Sequence, residues 1–352
     1  MEVFFWPGAL WGLRFAWRCG YHGAMAPCRT FFLAVNYPWL SYGSDFGRSP
    51  WGHSGVSGEE TRKVVAADFA KIRSSGAKVV RWFLLCDGRS GIRYDQGIPA
   101  GPDDLLFSDV GGALEIAAGS ELKICFSLLD FLWLESPEGK SGSSDPPPDL
   151  PGRNALQFAG GREALLQRVL IPLFREFRSH PALFSWEIVN EPEWAIPEFQ
   201  RSPKAGLNLA DARAFFAEIA QAIHEESGGV PATLGSARLQ WLRAWSEIEL
   251  DLLQAHYYPQ LESDQPLSLA EQLAALAGLS EQLWLGELPA RDPSTPAYSL
   301  EAALTACREA GLAGAGIWRW RSPDPGGSDL AFGSVQPESL SAWLSQSSEF
   351  RV

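Results

Sequence analysis

Charge is scarce in this chain of 352 residues: Asp, Glu, Lys and Arg together make up 20% of it. What charge there is leans acidic, with 42 acidic against 29 basic residues and a net charge of −13. Such a surface repels phosphate backbones, so nucleic acid is not an expected partner. Cysteine is sparse and scattered at 19, 28, 86, 125 and 307, with no CxxC pair. That excludes a zinc ribbon, a thioredoxin-like motif and a disulfide scaffold, and it leans toward a reducing compartment. Cys86 and Cys125 lie in or beside apolar runs and read as buried thiols. Histidines at 22, 53, 180, 224 and 256 make neither HExxH nor His-x-His, and the Asp- and Gly-rich stretch 322–333 lacks calcium-loop spacing. No metal and no cofactor is therefore expected. No uncharged apolar run of about 18 residues occurs, so no membrane span is expected.

The chain is rich in rings and apolar side chains. It is 46% hydrophobic and 12% aromatic, with 15 tryptophans beside only 2 methionines. Those figures exclude disorder and provide a large core. The length allows one large α/β domain or two ordinary ones. Residues 1–29 stand apart. They open with Glu2 rather than a basic cluster, Pro7, Arg14 and Arg18 interrupt the apolar run, and Ala24-Met25-Ala26 has the form of a cleavage triplet. An upstream extension with Met25 as the natural start is the favoured reading, and a weak signal segment is the other. A cytoplasmic location is slightly favoured over secretion.

From Phe31 on, short apolar runs alternate with longer amphipathic ones. Strand-like runs fall at 31–36, 78–85, 122–129, 183–189, 231–236, 252–258, 283–288 and 314–320. Each is rich in β-branched or aromatic residues, and several are nearly continuous in apolar character, as parallel strands covered on both faces are. Helical periodicity covers 59–75, 161–179 and 209–226, the last opened by Asn208 as N-cap, and more weakly 110–118, 237–247, 268–279, 299–310 and 337–346, with Pro337 at the first turn. Eight strand–helix units at roughly 40 residues each predict a single-domain (β/α)8 barrel over 30–352. A doubly wound open sheet is the alternative, but no GxGxxG follows the first strand. The low-complexity loop 136–152 follows the third strand, and two readings stand: part of a catalytic rim, or plain surface.

In such a barrel the active site lies at the C-terminal strand ends. Read in order, those ends carry Asn36 to Trp39, then Arg81 and Trp82, Asp130 to Trp133, Asn190-Glu191-Pro192, His256-Tyr257-Tyr258, Gly286-Glu287 and Trp318-Arg319-Trp320. Glu191 and Glu287 belong to the fourth and seventh strands, on opposite sides of the mouth. Glycoside hydrolysis needs such a pair, one carboxyl to protonate the leaving oxygen and one to attack or to activate water.

These residues give the chain its resemblance. It is similar to clan A retaining glycoside hydrolases, and closest to family 5, the cellulase and mannanase family. Asn190-Glu191-Pro192 matches the acid/base signature, Glu287 the nucleophile, Arg81 the arginine beside it, His256 and Tyr258 the His-x-Tyr pair, and Trp318 the tryptophan beneath the sugar at the cleavage site. The likeness spans about residues 31–346. It implies that Arg81 holds the Glu287 carboxyl down in pKa and that Tyr258 orients it. It implies that the charge of Glu287 and partial burial keep a proton on Glu191. Asn190 would donate to the sugar 2-hydroxyl. One departure stands out: where many family 5 enzymes have a histidine at the end of strand three, this chain has Asp130, a substitute polar contact to the sugar. Glu193 is a candidate support for Glu191, and Glu187 has no assigned role. Two readings stand for Arg319 and Arg321: an ordinary salt-bridged pair, which is favoured, or contacts to an anionic or polar substrate.

The resemblance implies a retaining β-glycosidase on glucan or mannan chains or oligosaccharides, expected to be monomeric. A carbohydrate-binding barrel that kept its cleft and lost its chemistry is the alternative. A barrel acting on phosphorylated metabolites would need a Gly-rich phosphate site that Gly311, Gly314 and Gly316 stand at the wrong end to make. Of the tryptophans, Trp39, Trp51, Trp133, Trp194, Trp318 and Trp320 are expected at the cleft. Trp82, Trp186 and Trp284 are expected in the core, and Trp241, Trp245 and Trp343 on the outer helices.

Overall fold

The computed structural model describes residues 31–135, 155–199, 206–262, 267–292, 295, 297–320 and 343. The segment 1–29, the loop 136–152, Arg321, the stretch 322–333 and, apart from Trp343, the helix 337–346 lie outside the described residues.

Eight parallel strands close into a barrel: β1 (Phe32–Asn36), β2 (Val79–Phe83), β3 (Lys123–Asp130), β4 (Leu183–Asn190), β5 (Ala232–Ser236), β6 (Leu253–His256), β7 (Leu283–Pro289) and β8 (Gly314–Trp318). Each pairs with its sequence neighbours, and β1 closes the ring against β8 with Phe32 opposite Gly314. Closure excludes the open doubly wound sheet. The strands are buried almost throughout because one face meets the helices and the other meets the lumen.

Helices α1 (Glu59–Ser74), α2 (Leu106–Gly119), α3 (Ala159–Leu165), α4 (Ile171–Glu176), α5 (Leu209–Glu226), α6 (Leu269–Ala274) and α7 (Leu300–Glu309) form the outer layer. Asn208 caps α5 as expected, its side chain accepting from the Asp211 amide. A π segment, Leu166–Leu170, joins α3 to α4 immediately before Pro172, which has no N–H to continue the ladder. Two local expectations need correction. The run 237–247 forms a 3-10 turn, Leu239–Trp245, in place of an α-helix. The loop after β2 carries an antiparallel hairpin, Ile92–Asp95 with Ile98–Pro102, turned on Gln96 and Gly97, both at positive φ.

Two layers of core result. The large one packs strands against helices. A smaller one plugs the lower lumen with Phe32, Ala34, Val79, Cys125 and Trp284. Phe32 on β1 meets Phe184 on β4 at 5.1 Å and Trp284 on β7 at 5.6 Å. Those strands are not neighbours, so the rings meet across the lumen. Above this plug the lumen turns polar, and that change places the site.

Candidate active site

The polar layer is built on Arg81. From β2 its guanidinium reaches across the lumen. Nε and Nη2 donate to the two oxygens of Glu187 on β4, both at 2.6 Å. Nη1 donates to Glu287 Oε1 at 2.6 Å and to Asn36 Oδ1 at 2.9 Å, and Nη2 also reaches Asn190 Oδ1 at 2.7 Å. Arg81 and Glu187 are both fully buried. Burial works against the guanidinium charge, and the carboxylates of Glu187 and Glu287 more than offset it, so its pKa rises. Against its own burial, Glu187 is held below the ordinary carboxylate range by Arg81. Ser127 and Gln254 complete the shell of Glu187, donating at 3.0 Å each. Space for these side chains comes from Gly235 and Gly286: a Cβ at Gly286 would stand 2.3 Å from Gln254 Nε2, and one at Gly235 2.6 Å from Glu187 Oε1.

Above this layer stand the two expected glutamates. Tyr258 Oη donates to Glu287 Oε2 at 2.6 Å. Burial is the largest influence on the Glu287 carboxyl and leaves its pKa raised, although Arg81 and the Tyr258 hydroxyl pull it down. This corrects the expectation that Arg81 would set a low pKa. Arg81 gives two of its nitrogens to Glu187 and one to Glu287, so its charge is shared.

Glu191 follows β4 with left-handed backbone angles, φ 47° and ψ 47°. A non-glycine residue there costs roughly 1–2 kcal/mol, so its surroundings must hold it. His256 Nδ1 lies 2.7 Å from Glu191 Oε1, and Trp194 Nε1 donates to Oε2 at 2.9 Å. Burial pushes His256 down to about 4, so its imidazole is neutral near pH 7. Gln254 Nε2, which donates to Glu187, lies 3.4 Å from His256 Nε2. That ring nitrogen is therefore the acceptor, and the proton sits on Nδ1, facing Glu191. One oxygen of Glu191, one of Glu287 and one ring nitrogen of His256 all lie within 4.8 Å of one another. The Glu191 side chain is 15% exposed and that of Glu287 5%. Both border a cleft of about 340 Å³ lined also by Trp39, Tyr42, Asp130, Asn190, Tyr258 and Trp318.

Asp130 ends β3. Its Oδ1 accepts from the Leu132 amide at 3.1 Å and its Oδ2 from Asn190 Nδ2 at 3.0 Å. Burial raises it to about 8 against those two bonds. Asn190 is thus fixed from both ends, by Arg81 and by Asp130.

The tryptophans divide differently from expectation. Trp39 and Trp318 line the cleft, their ring centroids 6.3 Å apart, and Trp194 touches Glu191. Trp133 and Trp320 do not join them. Trp133 is fully buried beneath Gly88, where a Cβ would stand 2.6 Å from its ring, and Trp320 packs into the main core. Trp51 is exposed, its ring 4.7 Å from the Arg89 guanidinium. Trp245, expected on the outer helices, donates to Glu193 Oε1 at 2.7 Å, and Trp241 meets Trp194 edge to face. Arg319 lies over the Trp318 ring at 5.6 Å.

Sequence reasoning missed Ser127 and Gln254, named Asn36 only as a strand end, and left Glu187 without a role. The signal was present: each is a polar residue within or at the end of a strand-like run of mostly apolar side chains. A larger groove of about 470 Å³ lies on the outer layer between α3 and α5, lined by Arg162, Glu163 and Glu218 among others, away from the strand ends. Among the described residues, no helix is long and apolar enough to cross a membrane.

No protein-family model matches the chain. Two curated relatives are similar to parts of it. A mannan endo-1,4-beta-mannosidase of Cryptopygus antarcticus is 23% identical over 171 residues, 48% of this chain and 40% of the relative. One of Mytilus edulis is 26% identical over 168 residues, 47% of this chain and 41% of the relative. The matched stretch thus spans well under half the length of either relative. Among solved structures, the endo-1,4-beta-mannanase of Eisenia fetida superposes with a TM-score of 0.69 at 18% identity, over 88% of this chain and 90% of that one. The beta-1,4-mannanase of Aplysia kurodai does so with a TM-score of 0.69 at 17% identity, over 91% and 94%. The chain shares their (β/α)8 fold, in keeping with the resemblance to family 5 that its motifs carry.

Proposed function

We propose that the chain is a retaining β-glycoside hydrolase acting on β-1,4-linked mannan or its oligosaccharides, with Glu287 as nucleophile and Glu191 as acid/base. The observation that carries the reading is the placing of these two glutamates. They come from β4 and β7, and their nearest oxygens lie within 4.8 Å beside one neutral imidazole. Inverting pairs need about 6.5 Å or more to admit a water, whereas retaining pairs stand about 5–5.5 Å apart. The names borne by the relatives favour mannan over glucan.

The steps follow from the geometry. Two carboxyls, those of Glu187 and Glu287, share one guanidinium, and a third, that of Glu191, stands near Glu287. Arg81 is committed to Glu187 and Glu287. A proton on Glu191 relieves the remaining repulsion. A Glu287 oxygen attacks the anomeric carbon as Glu191 gives its proton to the departing glycosidic oxygen. The bond to that oxygen breaks and a glycosyl ester to Glu287 forms. Glu191, now a carboxylate, takes a proton from water. The resulting hydroxide oxygen attacks the same carbon and frees Glu287. Two inversions give net retention. Asn190 Nδ2, held by Asp130, has a second hydrogen for the sugar 2-hydroxyl. Trp318 and Trp39 offer apolar faces to the ring.

The test is turnover of soluble β-mannan beside β-glucan, with the first-formed anomer read by proton NMR. Glu287→Gln should fall to background, and the wild-type product should be the β-anomer. Substantial activity in Glu287→Gln, or a first-formed α-anomer, sinks the reading. Binding of mannan without turnover by the wild-type chain would favour the sugar-binding barrel instead.

A further inference from the structure

Two residues beyond Glu191, on the turn Pro192–Trp194, lies a carboxyl that does not face the cleft. Glu193 is fully buried. Its Oε1 accepts from Ser236 Oγ at 2.6 Å and from Trp245 Nε1 at 2.7 Å, and its Oε2 accepts from the Ala237 amide at 3.0 Å. All three donors come from the end of β5 and the turn that follows it. The backbone ties in the same direction, the Glu191 amide donating to Gly235 O at 2.7 Å.

The other end of the turn returns to Glu191. The Trp194 amide donates to Glu191 O at 3.1 Å, and Trp194 Nε1 donates to Glu191 Oε2 at 2.9 Å. The Trp194 ring is braced by Trp241 at 5.3 Å, on the turn that ends in Trp245. Glu191 itself holds a left-handed backbone that L side chains rarely adopt, so it would relax if the turn came loose. A buried carboxylate with three donors is a stiff anchor for a three-residue turn.

We infer that Glu193 is a positioning residue for the acid/base: by clamping the Pro192–Trp194 turn to the end of β5, it aims the Glu191 carboxyl at the glycosidic oxygen. The inference rests on the reading of Glu191 as acid/base. Its consequence is selective. Protonation of the leaving group matters for a sugar alcohol, which leaves poorly as an anion, and hardly at all for a dinitrophenol, which leaves unaided. Nucleophilic attack by Glu287 is common to both.

The experiment measures kcat/KM, which reports the glycosylation step, on a manno-oligosaccharide and on a dinitrophenyl mannoside. Glu193→Gln keeps the shape and turns one acceptor into a donor facing a donor. It should lose about tenfold or more on the oligosaccharide, the scale of one hydrogen bond to a charged group, and less than about twofold on the activated mannoside. Trp245→Phe and Ser236→Ala each remove one donor. They should shift the same ratio in the same direction by less, and they decide the matter if Glu193→Gln does not fold. Glu191→Ala is the control and should show the split in larger form. If it shows no split, the reading of Glu191 fails. If Glu191→Ala shows the split while the Glu193, Trp245 and Ser236 variants lose equally on both substrates, or on neither, Glu193 only supports the fold and the inference is overturned.

Discussion

His256 gives its single ring proton to Glu191 across 2.7 Å and stands 3.6 Å from the nearer oxygen of Glu287. The second distance is too long for a hydrogen bond. The imidazole therefore belongs to Glu191, the proposed acid/base, and it enters uncharged because burial holds it near 4. Removing it strips the Glu191 carboxyl of a donor and leaves Trp194 Nε1 on the other oxygen. His256→Ala should lower kcat about ten- to hundredfold, the scale of a hydrogen bond to a charged group, and leave KM within about twofold. A loss of less than about twofold in kcat would place the imidazole outside the reaction.

The Tyr258 hydroxyl bears on pH dependence through the sign of its effect. Its donation to Glu287 Oε2 lowers a carboxyl pKa that burial has raised. In the proposed mechanism Glu287 must be ionised to attack, so the acid limb of kcat/KM should lie above the ordinary carboxylate range. Tyr258→Phe takes away a stabiliser of the carboxylate, so that limb should move to higher pH. A limb that stays in place, or moves down, contradicts the assignment of Glu287 as the group titrating there.

Stability should fall as pH rises from about 6.5 to about 8. Asp130 titrates near 8 and Glu193 near 7 in the folded chain, against ordinary values of 3.8 and 4.5. The folded state therefore holds more protons than the unfolded one between those limits. The stability these groups contribute is complete below their ordinary values and is lost as pH climbs through the folded ones. His256 works the other way, losing stability as pH falls from 6.5 toward about 4, so it does not mask the upper window. Melting temperature against pH checks this, and Asp130→Asn should flatten the slope above 7. An unchanged slope in that variant assigns the effect elsewhere.

Trp39 and Trp133 should separate binding from stability. Trp39 lines the cleft, and Trp133 is fully buried. Trp39→Ala should raise KM several-fold, in line with stacking worth about 0.5–1.5 kcal/mol. Trp133→Ala should leave KM of the folded fraction near wild type and destabilise the chain by about 3–5 kcal/mol through the cavity it opens. Chemical unfolding together with KM for both variants decides it, and a reversed pattern would restore Trp133 to the cleft.

The barrel was legible because its eight strands are short runs, most of them dominated by apolar side chains. The glutamates were legible because they sit directly after such runs, as Glu191 follows Ile188 and Val189. What escaped was the support beneath them. Asn36, Ser127, Glu187 and Gln254 lie within strands, and one-dimensional spacing does not say which polar interruption faces the lumen. The hairpin at 92–102 escaped because its turn is Gln96-Gly97 rather than the usual Asn-Gly. Trp133 and Trp320 were placed at the cleft for lying near strand ends, yet the backbone turns each of them inward. Trp245 reaches Glu193 from 52 positions away, a contact that the pairing of β4 with β5 brings about.

The buried guanidinium of Arg81 also divides the chain into what can be varied and what cannot. It is enclosed by side chains from β1, β4 and β7 and has no exposed surface. Whatever occupies the cleft meets Trp39, Tyr42, Leu261 and their neighbours first. Those positions can be exchanged to vary what the cleft takes while the charge balance below them stays intact. A library confined to the rim should therefore yield folded, ionically unaltered proteins that differ in what they take, whereas one that includes Arg81 should yield mostly chains that do not fold.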